Sequence, residues 1–155
     1  MISPELLRRY SFFGRLNEDQ LKAIAMIAEM DTAGAEAVLF EEGRPAQYLY
    51  LLLEGAIDLY YTSQEKFHPT NKKEFHVGTI NPGELFSLSA LIEPHVLNAT
   101  GRAAQASRFV RFDGAALREL MDRDCELGYF ILQQLSKALL ERLTYTRIQL
   151  AAAWA

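Results

Sequence analysis

The side chains able to do chemistry are scattered along this chain rather than grouped. Its three histidines are His68 in a polar stretch, His76 at the start of a β-prone run, and His95 beside Pro94. A metal cupin, the nearest enzymatic alternative, needs a His-x-His pair with a Glu and a further His at strand spacing, about three or four ligands in all. No histidine here has a His or Cys partner at that spacing, so each reads as structural. Cys125 is the only cysteine. It can form no intrachain disulfide and cannot supply the thiolates of an iron–sulfur cluster. A single His could ligate a haem axially, but nothing singles one out. Cys125 sits at a helix start, which lowers a thiol pKa, but Asp122, Asp124 and Glu126 beside it act the other way. The Glu41-Glu42 pair adjoins Gly43 and reads as a solvated turn. No catalytic residue, metal or cofactor is expected.

The basic residues Arg102, Arg108 and Arg111 fall in an alternating stretch, which spreads them over a solvated sheet edge. With a net charge of -4, the chain lacks the clustered Lys and Arg that phosphate contacts require, and nucleic-acid binding is not expected. Half the residues are hydrophobic and 23% are charged, a globular balance over 155 residues. The opening Met1–Tyr10 carries Glu5, Arg8 and Arg9 and reads as neither signal peptide nor span. No apolar run reaches the roughly 18 residues a membrane helix needs, so a cytoplasmic protein is expected.

The elements that must position these residues follow from periodicity. Leu6, Leu7 and Tyr10 stand at helical spacing before a break at Ser11–Gly14. Asn17 then caps a second helix through Leu21, Ile24, Ala25, Ile27 and Ala28, ending near Met30. From Ala35 to Asp113 the pattern turns β-prone: Val38–Phe40, Tyr48–Leu53, Ile57–Tyr61, Phe75–Ile80, Ala99–Ala103 and Ser107–Phe112. Glu54-Gly55 and Asn81-Pro82-Gly83 are turns, and Ser63–Lys73 reads as a longer loop or hairpin tip. Many short strands with glycine turns predict a small barrel or jelly roll.

Helical period returns after Asp113, first through Ala115, Leu117, Leu120 and Met121. A second helix runs from Cys125 to about Leu150, a rod of about 39 Å. Leu132, Leu135, Leu139, Leu143 and Leu150 lie near one side of it, interrupted by Ser136 and Thr146. A helix so long outruns one small β domain, and pairing with a second copy is expected.

Val38-Leu39-Phe40-Glu41-Glu42-Gly43, Ala46 to Gly55, and Val77-Gly78 to Asn81-Pro82-Gly83-Glu84 resemble the cyclic-nucleotide-binding domains of the catabolite-activator-like (Crp/Fnr) bacterial regulators. The resemblance covers essentially all of the chain. It implies an α+β fold: an antiparallel β-roll, jelly-roll-like, over residues 35–113, with N-terminal helices in 1–33. A long C-terminal dimerisation helix would lie within 114–155, the whole forming one domain, 1–155. Transcriptional members continue into a winged helix-turn-helix. This sequence stops at Ala155, so it is expected to be either a stand-alone sensor-like module or part of a longer chain.

In the family the phosphate-binding cassette reads approximately Phe-Gly-Glu-Leu-Ala-Leu, then Arg-Ser/Thr-Ala-Thr. A short helix and the Arg hold the cyclic phosphate, and the Glu accepts from the ribose hydroxyl. The matching residues here are Phe86-Ser87-Leu88-Ser89-Ala90-Leu91 and Leu97-Asn98-Ala99-Thr100. Ser87 replaces the Gly, Leu88 the ribose Glu and Leu97 the phosphate Arg. Gly83-Glu84-Leu85 imitates the cassette's Gly-Glu-Leu but aligns better as its lead-in. The resemblance also implies pocket roles for Arg142 and Thr146 on the long helix, but with the cassette altered the residues themselves read better as Arg142 paired with Glu141 or solvent and Thr146 as a polar seam residue.

The expected function is a non-enzymatic regulatory or ligand-sensing module that does not bind cyclic AMP or cyclic GMP in the usual way. Its pocket would be lined by Phe86, Leu88, Leu97 and Asn98, with a less charged small-molecule ligand or none, and with a possible protein partner. The alternative is a true cyclic-nucleotide receptor gripping through Ser87, Ser89, Asn98 and Arg142. It needs a cation near the phosphate, and Arg142 or, less plausibly, Arg102 are the residues the sequence offers.

Overall fold

The computed structural model describes residues 2–65 and 68–155, with the side chains of residues 64–72 outside the description. The chain divides into two compact units, a helical one (Met1–Ala28 with Ala115–Ala155) and a sheet unit (Glu29–Gly114).

In the helical unit, α1 (Pro4–Arg8) starts at Ser3, whose hydroxyl accepts from Glu5 N–H, and a short 3-10 turn follows at Ser11–Phe13. α2 (Glu18–Met26) begins with a reciprocal cap: Asn17 accepts from Gln20 N–H, and the Gln20 side chain accepts from Asn17 N–H. That exchange satisfies two donors a helix start leaves open. α3 spans Gly114–Arg123 and α4 Cys125–Trp154, 30 residues or about 45 Å. Asp124 caps α4 by accepting from Leu127 N–H and also receives the Gln20 side-chain amide at 3.0 Å. Along α4, Leu127, Ile131 and Leu135 are buried, whereas Leu132, Leu139, Leu143 and Leu150 are exposed. Spacing placed Leu135 near one side with Leu132, Leu139 and Leu143. Leu135 is buried with Ile131, one turn before it, while Leu139, one turn after it on the same face, is exposed, so burial ends partway along the helix.

The sheet unit holds two four-stranded sheets, β1-β8-β3-β6 and β2-β7-β4-β5. The strands are β1 Ala28–Ala33, β2 Val38–Phe40, β3 Tyr48–Glu54, β4 Ile57–Glu65, β5 His68–Ile80, β6 Leu85–Phe86, β7 Thr100–Ala103 and β8 Ser107–Asp113. The barrel expected from strand count does not close; the sheets remain separate. Between them Tyr50, Leu52, Ile57, Ile80, Phe86, Ala103 and Phe109 form a buried cluster.

Three local expectations change. α2 stops at Met26, not Met30, and β1 begins at Ala28. Strand geometry puts alternate residues on one face, and Arg111 of β8 takes Glu29 at 2.9 Å and Asp31 at 3.4 Å. The stretch Ser63–Lys73 is largely ladder rather than loop, with Thr62 opposite Glu74 and Ser63 opposite Lys73. Tyr61 and residues 73–77 are exposed, so backbone pairing rather than burial holds the hairpin, and hydrophobic alternation could not reveal it. Residues 66 and 67 of that expected tip lie outside the described residues. β6 was also missed, being only two residues long.

The expected turns hold. Gly55 has φ 99° and Gly83 φ 89°, a region L side chains avoid.

Candidate functional site

A pocket of about 340 Å3 opens in the sheet unit. One wall comes from β2 and β3. Alternation along β3 turns Tyr48 and Tyr50 to one face, so both reach the pocket with Leu39 and Phe40. Ser87 and Leu97 supply the cassette side, and Glu41, Arg44, Pro45 and Gln47 the rim.

The cassette residues fall into layers. Phe86 is fully buried behind the wall, stacked on Tyr50 with ring centroids 4.8 Å apart. Ser87 adopts φ 59°, ψ 47° before a short 3-10 turn over Leu88–Leu91. That left-handed backbone favours glycine and costs a serine roughly 1–2 kcal/mol. Gly83, with φ 89°, lies in the turn between β5 and β6.

Leu88 is 5% exposed and Leu97 6% exposed. Of the four residues expected to line the pocket, Leu97 does so, while Phe86, Leu88 and Asn98 lie outside the wall. Leu88 turns into the core, and Asn98 is exposed. Ser89 and Ala99 are partly buried. Arg142 and Thr146 lie on α4 in the helical unit.

Several site residues escaped the sequence reading, Arg44 above all, although the sequence offered only Arg142 and Arg102 as cations. Gly43 N–H donates to Leu97 O at 2.8 Å, Leu97 N–H to Arg44 O at 2.9 Å, and Ala46 N–H to His95 O at 2.8 Å. This non-local pairing sets Arg44 beside Leu97. The Arg44 guanidinium stands 4.0 Å from Glu41, both side chains mostly exposed at 75% and 64%. Such a pair is worth about 0–1 kcal/mol and yields readily to a competing anion. Tyr48 and Tyr50 were legible as alternate strand residues, but not as pocket residues.

The Glu41-Glu42 turn is not simply solvated. Glu42 accepts from Thr62 N–H at 3.0 Å, and its own N–H donates to Thr100 Oγ1 at 3.0 Å. These bonds tie the pocket rim to β4 and β7.

The three arginines of the alternating stretch are paired rather than merely solvated. Arg102 meets Glu74 and lies over the Tyr60 ring, and Arg108 meets Glu54. Arg111 lies over the Tyr48 ring at 4.8 Å, and its hydrogen bond to Glu29 raises its pKa above the usual value. Burial pushes the Tyr50 phenol up to about 12, so it stays a neutral hydroxyl near neutral pH. His76 shares Asp58 with Thr79, at 3.2 Å and 2.9 Å.

The model of the family described as the cyclic nucleotide-binding domain matches residues 32–124. A candidate cyclic nucleotide-binding protein from Geobacter metallireducens is 36% identical, with 92% of this chain and 99% of that one covered at a TM-score of 0.79. The sensor domain of the transcriptional regulator DNR from Pseudomonas aeruginosa is 25% identical, covering 90% of each chain at a TM-score of 0.66. The catabolite activator protein of Thermus thermophilus, 19% identical over 97% of this chain and 63% of its own, shares the fold at a TM-score of 0.69. A protein of Rhodopseudomonas palustris named as a candidate potassium channel is 23% identical over 133 residues. Those residues are 86% of this chain, but the match spans only 30% of that relative's length. With these likenesses added to the motifs at Val38–Gly55 and Val77–Glu84, the chain belongs to the cyclic nucleotide-binding domain family, in the fold of the Crp/Fnr regulators.

Proposed function

We propose that this protein is a non-catalytic regulatory or ligand-sensing module that does not hold cyclic AMP or cyclic GMP in its family's usual way. The observation that carries the reading is Leu97 in the pocket wall, where the family has its phosphate-binding Arg. Leu88, at the ribose-binding Glu position, is turned into the core. Charge-assisted hydrogen bonds contribute about 1.5–3 kcal/mol each. Losing both weakens cyclic-nucleotide binding by roughly two to four decades. The description of the Pseudomonas aeruginosa relative as a sensor domain supports a sensory role.

A second reading, a cyclic-nucleotide receptor with a substituted grip, draws on the description of the Geobacter metallireducens relative. Ser87, Ser89, Asn98 and Arg142 would make that grip.

The two units would work as one domain in the cytoplasm. α4 would pair with a second copy through Leu132, Leu139, Leu143 and Leu150, all exposed. A protein partner would read the helix. No described helix is long and apolar enough to cross a membrane.

Calorimetric titration with cyclic AMP and cyclic GMP tests the reading. No heat up to about millimolar ligand supports it; a dissociation constant in the micromolar range or tighter favours the second reading.

A further inference from the structure

We infer that the pocket's anion grip has moved from the cassette to the facing rim, where Arg44 takes the role that Leu97 cannot, and that the ligand is a flat aromatic ring carrying one anionic group. The inference rests on the proposed reading of the pocket and names the ligand class that reading leaves open.

Three observations lead here. First, Arg44 is anchored at the right place. Leu97 N–H donates to Arg44 O at 2.9 Å, and the flanking bonds from Gly43 to Leu97 and from Ala46 to His95 are each 2.8 Å. The segment 43–46 is thus held along 95–97 by backbone, and the isolated bridge Pro45–Val96 continues the same pairing. A guanidinium lost at position 97 is replaced by one on its hydrogen-bonded neighbour.

Second, the guanidinium is available. Its partner among the pocket residues, Glu41, is 4.0 Å away in a solvent-exposed pair. An incoming carboxylate or phosphate monoester can displace it and gain the two-pronged hydrogen bonding that a guanidinium offers. Glu41 also sets a limit: its charge opposes anions of high valence and favours a single negative group.

Third, the remaining wall suits a ring and not a sugar. Phe40, Tyr48 and Tyr50 present aromatic surface, with Leu39 and Leu97 filling between them. Aromatic walls prefer flat partners in offset or edge contact. The carboxylate that would accept from a ribose hydroxyl is replaced by Leu88 in the core, so a sugar's hydroxyls would be stripped of water without a charged acceptor there. A volume of about 340 Å3 fits a small aromatic acid and falls at the low end of ordinary ligand sites.

The test uses the whole chain and two probes of equal shape, indole-3-acetate and indole-3-acetamide, titrated by calorimetry or ligand-observed NMR. The acid is expected to bind about tenfold more tightly than the amide, one charge-assisted contact at a partly exposed cation. Arg44→Gln should erase that preference, bringing the acid's affinity down to that of the amide. Glu41→Gln should move the acid the other way, tightening it severalfold, because the competing carboxylate is gone. Thermal melts of both variants matching the parent show that the fold is intact; both side chains are largely exposed.

Equal binding of acid and amide, an acid preference that survives Arg44→Gln, or no binding of either probe at tens of millimolar overturns the inference. Cyclic AMP titrated alongside separates the two claims. Micromolar binding of cyclic AMP that Arg44→Gln abolishes would keep Arg44 as the anion grip and sink the nucleotide-blind reading together with the exclusion of a sugar. Micromolar binding indifferent to Arg44→Gln would sink both.

Discussion

Gly101→Ala is expected to destabilise the protein, although the same change in most strands is harmless or helpful. Gly101 lies in β7 outside the left-handed region, so backbone strain is not at issue. Alanine there should stabilise by about 0.4–1 kcal/mol by narrowing the unfolded ensemble. The obstacle is Phe40. A Cβ on residue 101 would stand 2.4 Å from Phe40 Cζ and 2.7 and 2.8 Å from its two Cε atoms. The ring would have to withdraw by about 1 Å to regain ordinary contact. It is hemmed by the Tyr50 ring at 5.8 Å and the Phe86 ring at 6.1 Å, which are themselves stacked at 4.8 Å. Overpacking of this kind costs about 1–3 kcal/mol and exceeds the entropic gain. The expected net loss is about 1–2 kcal/mol, seen in urea denaturation as a lower midpoint with an unchanged slope. Phe40→Leu removes the ring carbons in conflict. In that background Gly101→Ala should be neutral or stabilising, a coupling of about 1–2 kcal/mol between the two sites. Because Phe40 lines the pocket, the displaced ring should also weaken binding of any ring-shaped ligand. A Gly101→Ala protein as stable as the parent, or an equal loss with and without Phe40→Leu, would refute the reasoning.

Three further expectations concern the helices and the pH response. Leu139→Glu with Leu143→Glu places two charges on the exposed face of α4 and should convert a dimer to monomer in sedimentation at tens of micromolar; a parent already monomeric there refutes pairing through this helix. Asp124 is held below the usual carboxylate pKa by the Gln20 side-chain amide and then by Leu127 N–H. A depressed folded pKa stabilises above the unfolded value and is lost as pH falls through the folded one. Asp124→Ala should therefore lower the melting temperature at neutral pH, with the gap from the parent narrowing as pH falls through the lowered folded pKa. Tyr50, with its pKa raised from 10.0 to about 12 chiefly by burial, works the other way. Its contribution is full below 10 and lost as pH rises toward 12, so ultraviolet titration should find one phenol ionising last and Tyr50→Phe should flatten that alkaline loss.

Much of this molecule is written in local sequence. Asn17 with Gln20 announces a capped helix because both bonds close within one turn. Gly55 and Gly83 mark turns because only their backbones take φ near 90° without penalty. The run from Cys125 without proline specifies a long helix, and the order of these elements with the Val38–Gly55 motif was sufficient to recognise the family fold.

Other features rest on contacts between residues far apart in the chain, which no local pattern records. Ala28–Ala33 is a strand because it pairs with β8, some eighty residues on, where Glu29 and Asp31 also meet Arg111. The polar arms of the β4–β5 hairpin are held by backbone pairing that does not need apolar alternation. Leu135 is buried and Leu139, one turn further along the same face, is exposed, because how far packing extends along α4, not spacing or hydrophobicity, divides its leucines. Which side chains wall the pocket was least legible of all. Leu88 folds away from it, while Tyr48, Tyr50 and Arg44 fold into it. The neighbourhood of Arg44 and Leu97 is created by a backbone hydrogen bond between segments more than fifty residues apart. The sequence by itself determined the elements and their order, since helix caps, turns and periodicity act over a few residues. Only the tertiary structure decided which charge faces the pocket, because a charge's neighbours are set by how distant strands pair.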